Sequence, residues 1–451
     1  MVKIPQLKNK WVKDINTILK FSLASVDPYY CVLKTIHLND DNLTIAKTKI
    51  NLEKIKNIYI IGIGKAAIPM AKAVEEKIGV KITGGFLISK NQSEGFEELI
   101  EKGFQIEFGS HPIPDKRSID CAIKLEKFVG NIESDDLIIT VISGGGSALM
   151  VLPYEGISLT DIRELTKILL RSGATIQEIN TIRKHIDRIK GGGLAKMVFP
   201  AKMMTLILSD VVSDEISMIA SGPTTYDETS FFDALTIIRK YDIEEKIPEN
   251  ILIHLNKGFH GEIIETIKQE EKYVQNISNT IIGSISSVVK AAEEIARNLG
   301  YTTLVNSKKI IGEASVVGRV ESAKFIKMVE NDQYVKPACL IAGGETTVTV
   351  SGNGKGGRNQ ELALGAIEQF ENYDNCCLIS LATDGEDGPT DAAGAFITGA
   401  SLKIARENGL ESKQYLKNND SYSFFEKTNS LIKIGPTGTN VNDLLLMFAF
   451  E

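Results

Sequence analysis

At 451 residues, 43% hydrophobic and 24% charged, the chain is too long for one ordinary core and is expected to divide into two domains. Its 51 basic and 58 acidic residues leave a net charge of −7, which excludes a generic binder of nucleic acid or anionic membrane, since both rely on excess Lys and Arg. The opening MVKIPQLKNKWVKD lacks the apolar core of a signal peptide and no stretch approaches the about 20 apolar residues of a membrane helix, so a cytoplasmic protein without a membrane partner is expected.

In chain order, residues 1–44 read as a helical segment, with DINTILKFSLASVDP ending at Pro28 and its lobe left open. Strand-like runs then alternate with helical patterns: NIYII at 57–61, GFLIS at 85–89, LIITVI at 137–142 and MTLILS at 204–209. A polar stretch over 245–278 carries no strand signal and marks a boundary. Beyond it come TIIGS at 280–284, ACLIAG at 338–343 and CCLISLA at 376–382. Most runs are apolar at every position, as parallel strands covered on both faces require. The expectation is α/β, with a Rossmann-like lobe over 45–255, a second α/β lobe over 278–451 and a cleft between them as the binding site. TTVTV at 346–350, followed by SGNGKGG, breaks the rhythm and predicts a hairpin or a glycine-rich loop. The five cysteines are odd in number and form no C-x-x-C, which favours buried free thiols in a reducing compartment over metal or redox chemistry.

Gly62, Gly64 and Ala67 in GIGKAA satisfy the dinucleotide fingerprint G-x-G-x-x-[GA], yet the next strand ends in Lys90 and Asn91 instead of the acid that would bind ribose. These glycines can equally serve only a tight turn. Lys65, at a helix N-terminus, is electrostatically unfavourable unless an anion sits there. In SGGGSALM a strand feeds Gly144, Gly145, Gly146 and Ser147 into a helix, a main-chain anion cradle that is not a Walker P-loop. Arg183, Lys184, Arg188 and Lys190 crowd a helix end before Gly191 and Gly192; they meet a polyanion or form a solvated basic face. Asp210 follows one strand and Asp384 another, with Asp214, Asp387 and Asp391 behind them, positions that suit Mg²⁺. Helix caps and Asx turns are the competing reading and fit Asp214 and Asp387 well. Arg358 opens a helix after a glycine run, where its planar fork suits a phosphate or carboxylate. His111, in the turn SHPIPD, and His185, in the basic helix, read as structural in preference to general bases.

With GIGKAA, SHPIPD, SGGGSALM, IRKHIDRIKGGGLA, SDVVSDEISMIASGPT, AGGETTVTV, GKGGRNQELAL, TDGEDGPTDAAGA and GPTGTNVNDLLL in this order, the chain resembles the glycerate kinase family of the MOFRL type. The resemblance implies two lobes around a site for ATP and D-glycerate, phosphorylation at the 2-hydroxyl, and roles for Lys65 and Arg358. Joined to the inventory above, the expected site has Lys65, Arg358 and Asp210 as catalytic residues, and Gly144, Gly145, Gly146, Ser147, Lys190, Gly191 and Gly192 on the nucleotide phosphates. Lys65, Arg183 and Arg358 are expected on the substrate, and Asp210, Asp384 and Asp387 on Mg²⁺ or another divalent metal. Small molecules are the expected partners, and a homodimer is compatible with the chain. The rivals are an NAD(P)H-dependent hydroxypyruvate reductase and a non-enzymatic nucleotide-binding regulator.

Overall fold

The computed structural model describes residues 2–306 and 309–451. The chain divides into two compact units, residues 28–282 and residues 1–27 joined with 283–451. The strands are β1 (Ile36–Asn39), β2 (Asn42–Ile45), β3 (Thr48–Asn51), β4 (Ile58–Ile63), β5 (Gly84–Ser89), β6 (Gln105–Phe108), β7 (Leu137–Ile142), β8 (Lys202–Leu208), β9 (Ile277–Gly283), β10 (Thr302–Val305), β11 (Ile310–Glu313), β12 (Ala338–Thr347), β13 (Cys376–Ala382), β14 (Gly394–Thr398), β15 (Leu431–Ile432) and β16 (Asp443–Ala449). The stretch read as helical over 1–44 contains helices Asn9–Ala24 and Pro28–Thr35 and then enters the small antiparallel sheet β1-β2-β3.

The unit 28–282 is built on a six-stranded sheet of order β6-β5-β4-β7-β8-β9. Pairings from β6 through β8 are parallel, with Ile58 opposite Leu137 and Ile63 opposite Ile142 between β4 and β7. All six residues of β7 are buried, which is why its LIITVI shows no polar alternation. The chain leaves β4 towards β5 and β6 and then returns to place β7 on the other side of β4, so the strand order reverses between β4 and β7. In an open parallel sheet such a reversal opens a crevice at the strands' carboxyl ends. Beside the sheet, helices Leu159–Arg171, Ile176–His185, Phe231–Lys240 and Glu249–Phe259 enclose their own core of Leu165, Leu169, Ile182, Leu235 and Leu255. Three of them start at capping boxes, Ser158 with Asp161, Thr175 with Glu178 and Ser230 with Asp233, each satisfying otherwise orphaned N–H groups reciprocally.

The second unit carries a mixed seven-stranded sheet in which β12 runs parallel to β10 and β11 but antiparallel to β16, and β13 lies antiparallel to both β14 and β16. Helix Asn9–Ala24 belongs here: Trp11 stacks on Phe450 at 4.4 Å and Asp14 accepts a 3.1 Å hydrogen bond from Tyr301. After β12 the glycine run of 352–357 lies as a loop along 418–421, where Cβ atoms on Gly352 or Gly354 would collide with the Asn418 backbone. All five cysteines are buried and unbridged.

Candidate active site

The reversal between β4 and β7 brings two strand-end turns together and locks them by hydrogen bonds. The Lys65 N–H donates to the Gly144 carbonyl at 3.0 Å, the Ser143 N–H to Ile63 at 2.9 Å, and the Ala66 N–H to Ser143 Oγ at 2.9 Å. Gly64 is required here, because at φ 125° a Cβ would lie 2.3 Å from Ser143 Oγ and 2.4 Å from its carbonyl. The glycines of the fingerprint therefore serve strand-to-strand packing. The amides of residues 65 and 66 at the mouth of helix Ala67–Ile78 are occupied by protein, which leaves no open pyrophosphate cradle of the dinucleotide kind.

Around this lock the carboxyl ends of adjacent strands converge. A Cβ on Gly145, which has φ 89°, would fall 3.0 Å from His111 Cδ2 and 3.4 Å from Lys65 Cγ, so the loop after β6 and the turns after β4 and β7 meet at one point. One on Gly144 would fall 2.5 Å from Asp210 Oδ2, which sets the carboxylate after β8 against the same turn. His111 is half-buried; its pKa is lowered to about 4, first by burial and then by the charges of Lys65 and Lys90, so the ring is neutral at pH 7. The side chains of Lys65, Lys90 and His111 have no hydrogen-bond or ion-pair partner among the described residues. Two ammonium groups without a carboxylate partner thus stand at the ends of adjacent strands, beside a neutral imidazole.

The next layer is tied in through hydroxyls. Ser147 Oγ lies 2.8 Å from Ser221 Oγ, which donates to Asn180 Oδ1 at 3.2 Å. Ala220 and Ser221 have φ of 51° and 61° ahead of Gly222 at 62°, consecutive left-handed residues of which two are not glycine. Each such residue costs about 1–3 kcal/mol, and strain of this kind persists where surrounding structure imposes it. A Cβ on Gly146 would meet that of Ala220 at 2.6 Å, so the glycine turn and the strained turn fit only as a pair. Arg183 lies one helical turn beyond Asn180, on the same face of Ile176–His185. It is half-buried, burial lowers its pKa, and its guanidinium has no hydrogen-bond or ion-pair partner among the described residues.

Other expected site residues have different roles. Lys190 is buried and pairs with Asp187 at 2.5 Å while donating to Met150 O at 3.0 Å. Gly191 and Gly192 donate their amides to the carbonyls of Ser221 and Gly222 at 3.0 and 2.7 Å. These three are scaffold for the strained turn and not a phosphate cradle. Lys184 is buried against Asp227 at 2.5 Å, and Arg188 forms a bidentate pair with Glu126 at 2.6 and 3.0 Å. His185 Nε2 lies 2.9 Å from Glu265 in the core, in keeping with a structural role.

In the second unit Arg358 grips Asp443 bidentately at 2.6 and 3.0 Å and Glu345 at 2.5 Å. Burial opposes its charge, but the two carboxylates hold it firmly protonated. Its fork is thus matched to protein carboxylates on β16 and β12. Asp387 is buried and accepts the backbone N–H groups of Asn359 and Gln360 at 3.1 and 2.9 Å as well as their side-chain amides. All its acceptor positions are in use, so it caps helix Arg358–Ala366, as the competing cap reading has it. Asp384 accepts the Glu386 N–H at 3.1 Å in a local turn. Among the described residues no group of three His, Cys, Asp or Glu side chains could hold a metal ion.

His111, read from the sequence as structural, and Lys90, read only as standing where a ribose-binding acid would be, are both brought to this edge of the sheet.

Residues 14–256 match a family described as a domain of unknown function, DUF4147, and residues 338–443 match the MOFRL family. A glycerate 2-kinase from Pyrococcus horikoshii is 39% identical over 427 residues, covering 94% of either chain. A putative hydroxypyruvate reductase from Agrobacterium vitis is 37% identical over 393 residues, 85% of either chain. The crystal structure of a glycerate kinase from Thermotoga maritima superposes with a TM-score of 0.82 at 38% identity, covering 97% of this chain and 99% of that one.

Proposed function

This chain belongs to the glycerate kinase family in which a DUF4147 domain is joined to a MOFRL domain, and from that premise we propose that it transfers the γ-phosphoryl group of ATP to D-glycerate, giving 2-phosphoglycerate. The observation that carries the reading is the unpaired basic group of Lys65, Lys90 and His111 beside the Gly144–Gly146 turn, at the reversal point of a parallel sheet. Phosphoryl transfer depends on positioning and on neutralising negative charge more than on covalent chemistry, and these are the groups the turn presents.

Lys65 meets the transferring phosphoryl group or the substrate carboxylate, held in place by its amide on Gly144. Arg183 is the further cation for an anionic ligand. Asp210 would hold a Mg²⁺ ion arriving with the nucleotide, and that ion would supply further neutralisation of the phosphates. Arg358 anchors the start of helix Arg358–Ala366 to β16 and β12 through Asp443 and Glu345. A cytoplasmic setting fits the five unbridged thiols.

The reductase reading draws on one relative's name, but the occupied amides at residues 65 and 66 and the Lys90–Asn91 end of β5 give it no cradle for a dinucleotide's pyrophosphate and ribose. Lys65→Ala tests the proposal: coupled ADP release with D-glycerate is expected to fall by two orders of magnitude or more with the thermal midpoint within a few degrees of wild type. Unchanged kcat and KM would reduce Lys65 to a solvated helix-end residue, and hydroxypyruvate-dependent NADH oxidation by the wild type would favour the reductase.

A further inference from the structure

The phosphorylated hydroxyl must lose a proton, and several of the carboxylates described above are already engaged. Asp387 is saturated by four N–H donors. Asp443 and Glu345 are bound by Arg358. We propose that His111 takes the proton from the substrate hydroxyl, with Lys65 and Lys90 holding the substrate carboxylate beside it. The inference rests on the glycerate kinase reading and assigns a role within it.

The geometry places the imidazole at the Gly145 turn, which the Lys65 stem also adjoins. The charged groups acting on the ring are Lys65, from the turn after β4, and Lys90, from the end of β5; the Gly144–Gly146 turn carries no charge of its own, and Asp210, after β8, stands on its Gly144 side. Asp115, farther along the same loop, is tied to Arg117 at 2.8–3.3 Å. Without ligand the two ammonium groups and burial disfavour a proton on the ring, so His111 is neutral but a weak base, at about 4. A carboxylate seated on Lys65 and Lys90 cancels the repulsion and raises its proton affinity. The acid substrate thereby activates its own base, whereas a neutral polyol or water does not.

In the step itself the hydroxyl O–H bond breaks and its proton passes to an imidazole nitrogen. The oxygen's electron pair forms the new O–P bond, and the bond between γ-phosphorus and the bridging oxygen breaks with its pair leaving on ADP. Water then removes the proton from the ring.

The test pairs kinetics with ¹H NMR of the wild-type protein, in which His111 is identified by the signal missing from His111→Asn. The variant is expected to lose about 100-fold or more in kcat, to keep its KM for ATP within about threefold, and to lose the acid limb of the kcat profile. D-glycerate alone is expected to move the His111 titration midpoint up from about 4 by at least one pH unit, while glycerol leaves it unmoved. A fully active His111→Asn with an active wild type overturns this proposal alone, as does a midpoint indifferent to D-glycerate; where His111→Asn fails to fold, His111→Gln supplies the assignment and the rate. A wild type that releases no ADP with D-glycerate overturns the kinase reading together with it.

Discussion

Lysines of identical chemistry have opposite roles here because of what each one faces. Lys65 and Lys90 end strands at a crevice and meet no carboxylate, whereas Lys190, within the same basic cluster as Arg183, is buried against Asp187. Removing one partner of a buried pair leaves the other charge uncompensated, which costs about 3–5 kcal/mol. Lys190→Met is therefore expected to lower the urea midpoint strongly while leaving the KM for ATP of the folded enzyme near wild type. A large rise in KM without loss of stability would return Lys190 to the phosphates.

At the scale of elements, the turns carry the specification. Gly64 joins β4 to its helix at φ 125° with the Ser143 carbonyl 2.4 Å from where a Cβ would stand. Gly64→Ala is expected to cost about 1–3 kcal/mol for the backbone conformation and a similar amount for overpacking, seen as a lowered thermal midpoint. Helix Arg358–Ala366 has no capping side chain at Gly357, and Asp387 satisfies its first amides from another loop instead. Asp387→Ala is expected to lose about 1–2 kcal/mol or more, as a cap with buried donors should. The Mg²⁺ concentration for half-maximal activity should not change, whereas Asp210→Asn should raise it.

Across the molecule, acid sensitivity has identifiable sources. Burial would raise the Glu265 carboxyl, but hydrogen bonds from His185 and the amides of Phe231 and Thr266 hold it down at about 2, against 4.5 for a free side chain. Between those values the unfolded chain takes up a proton that the folded one refuses, so stability falls as pH drops. Lowering of the His111 pKa acts in the same direction between 6.5 and about 4. Glu265→Gln should be less stable than wild type at pH 7, with the gap closing below pH 4.5 as the wild-type contribution is lost. Urea midpoints of the two proteins from pH 7 to 3 measure this.

The apolar runs of β4, β5, β7 and β8 were legible from residue pattern alone, because strands buried on both faces have no polar side to show. The α/β class and the glycine turns after β4 and β7 followed from the same local chemistry. Spacing along the chain could not reveal that Lys65, Lys90, His111, Gly145 and Asp210 share one edge, since that depends on the strand order β6-β5-β4-β7-β8. Nor could it show that Asp387, a few residues past the end of β13, would be saturated by four N–H donors from a helix nearly thirty residues earlier. Local propensity writes the elements, while electrostatic partnership is a property of neighbours that folding brings from far along the chain.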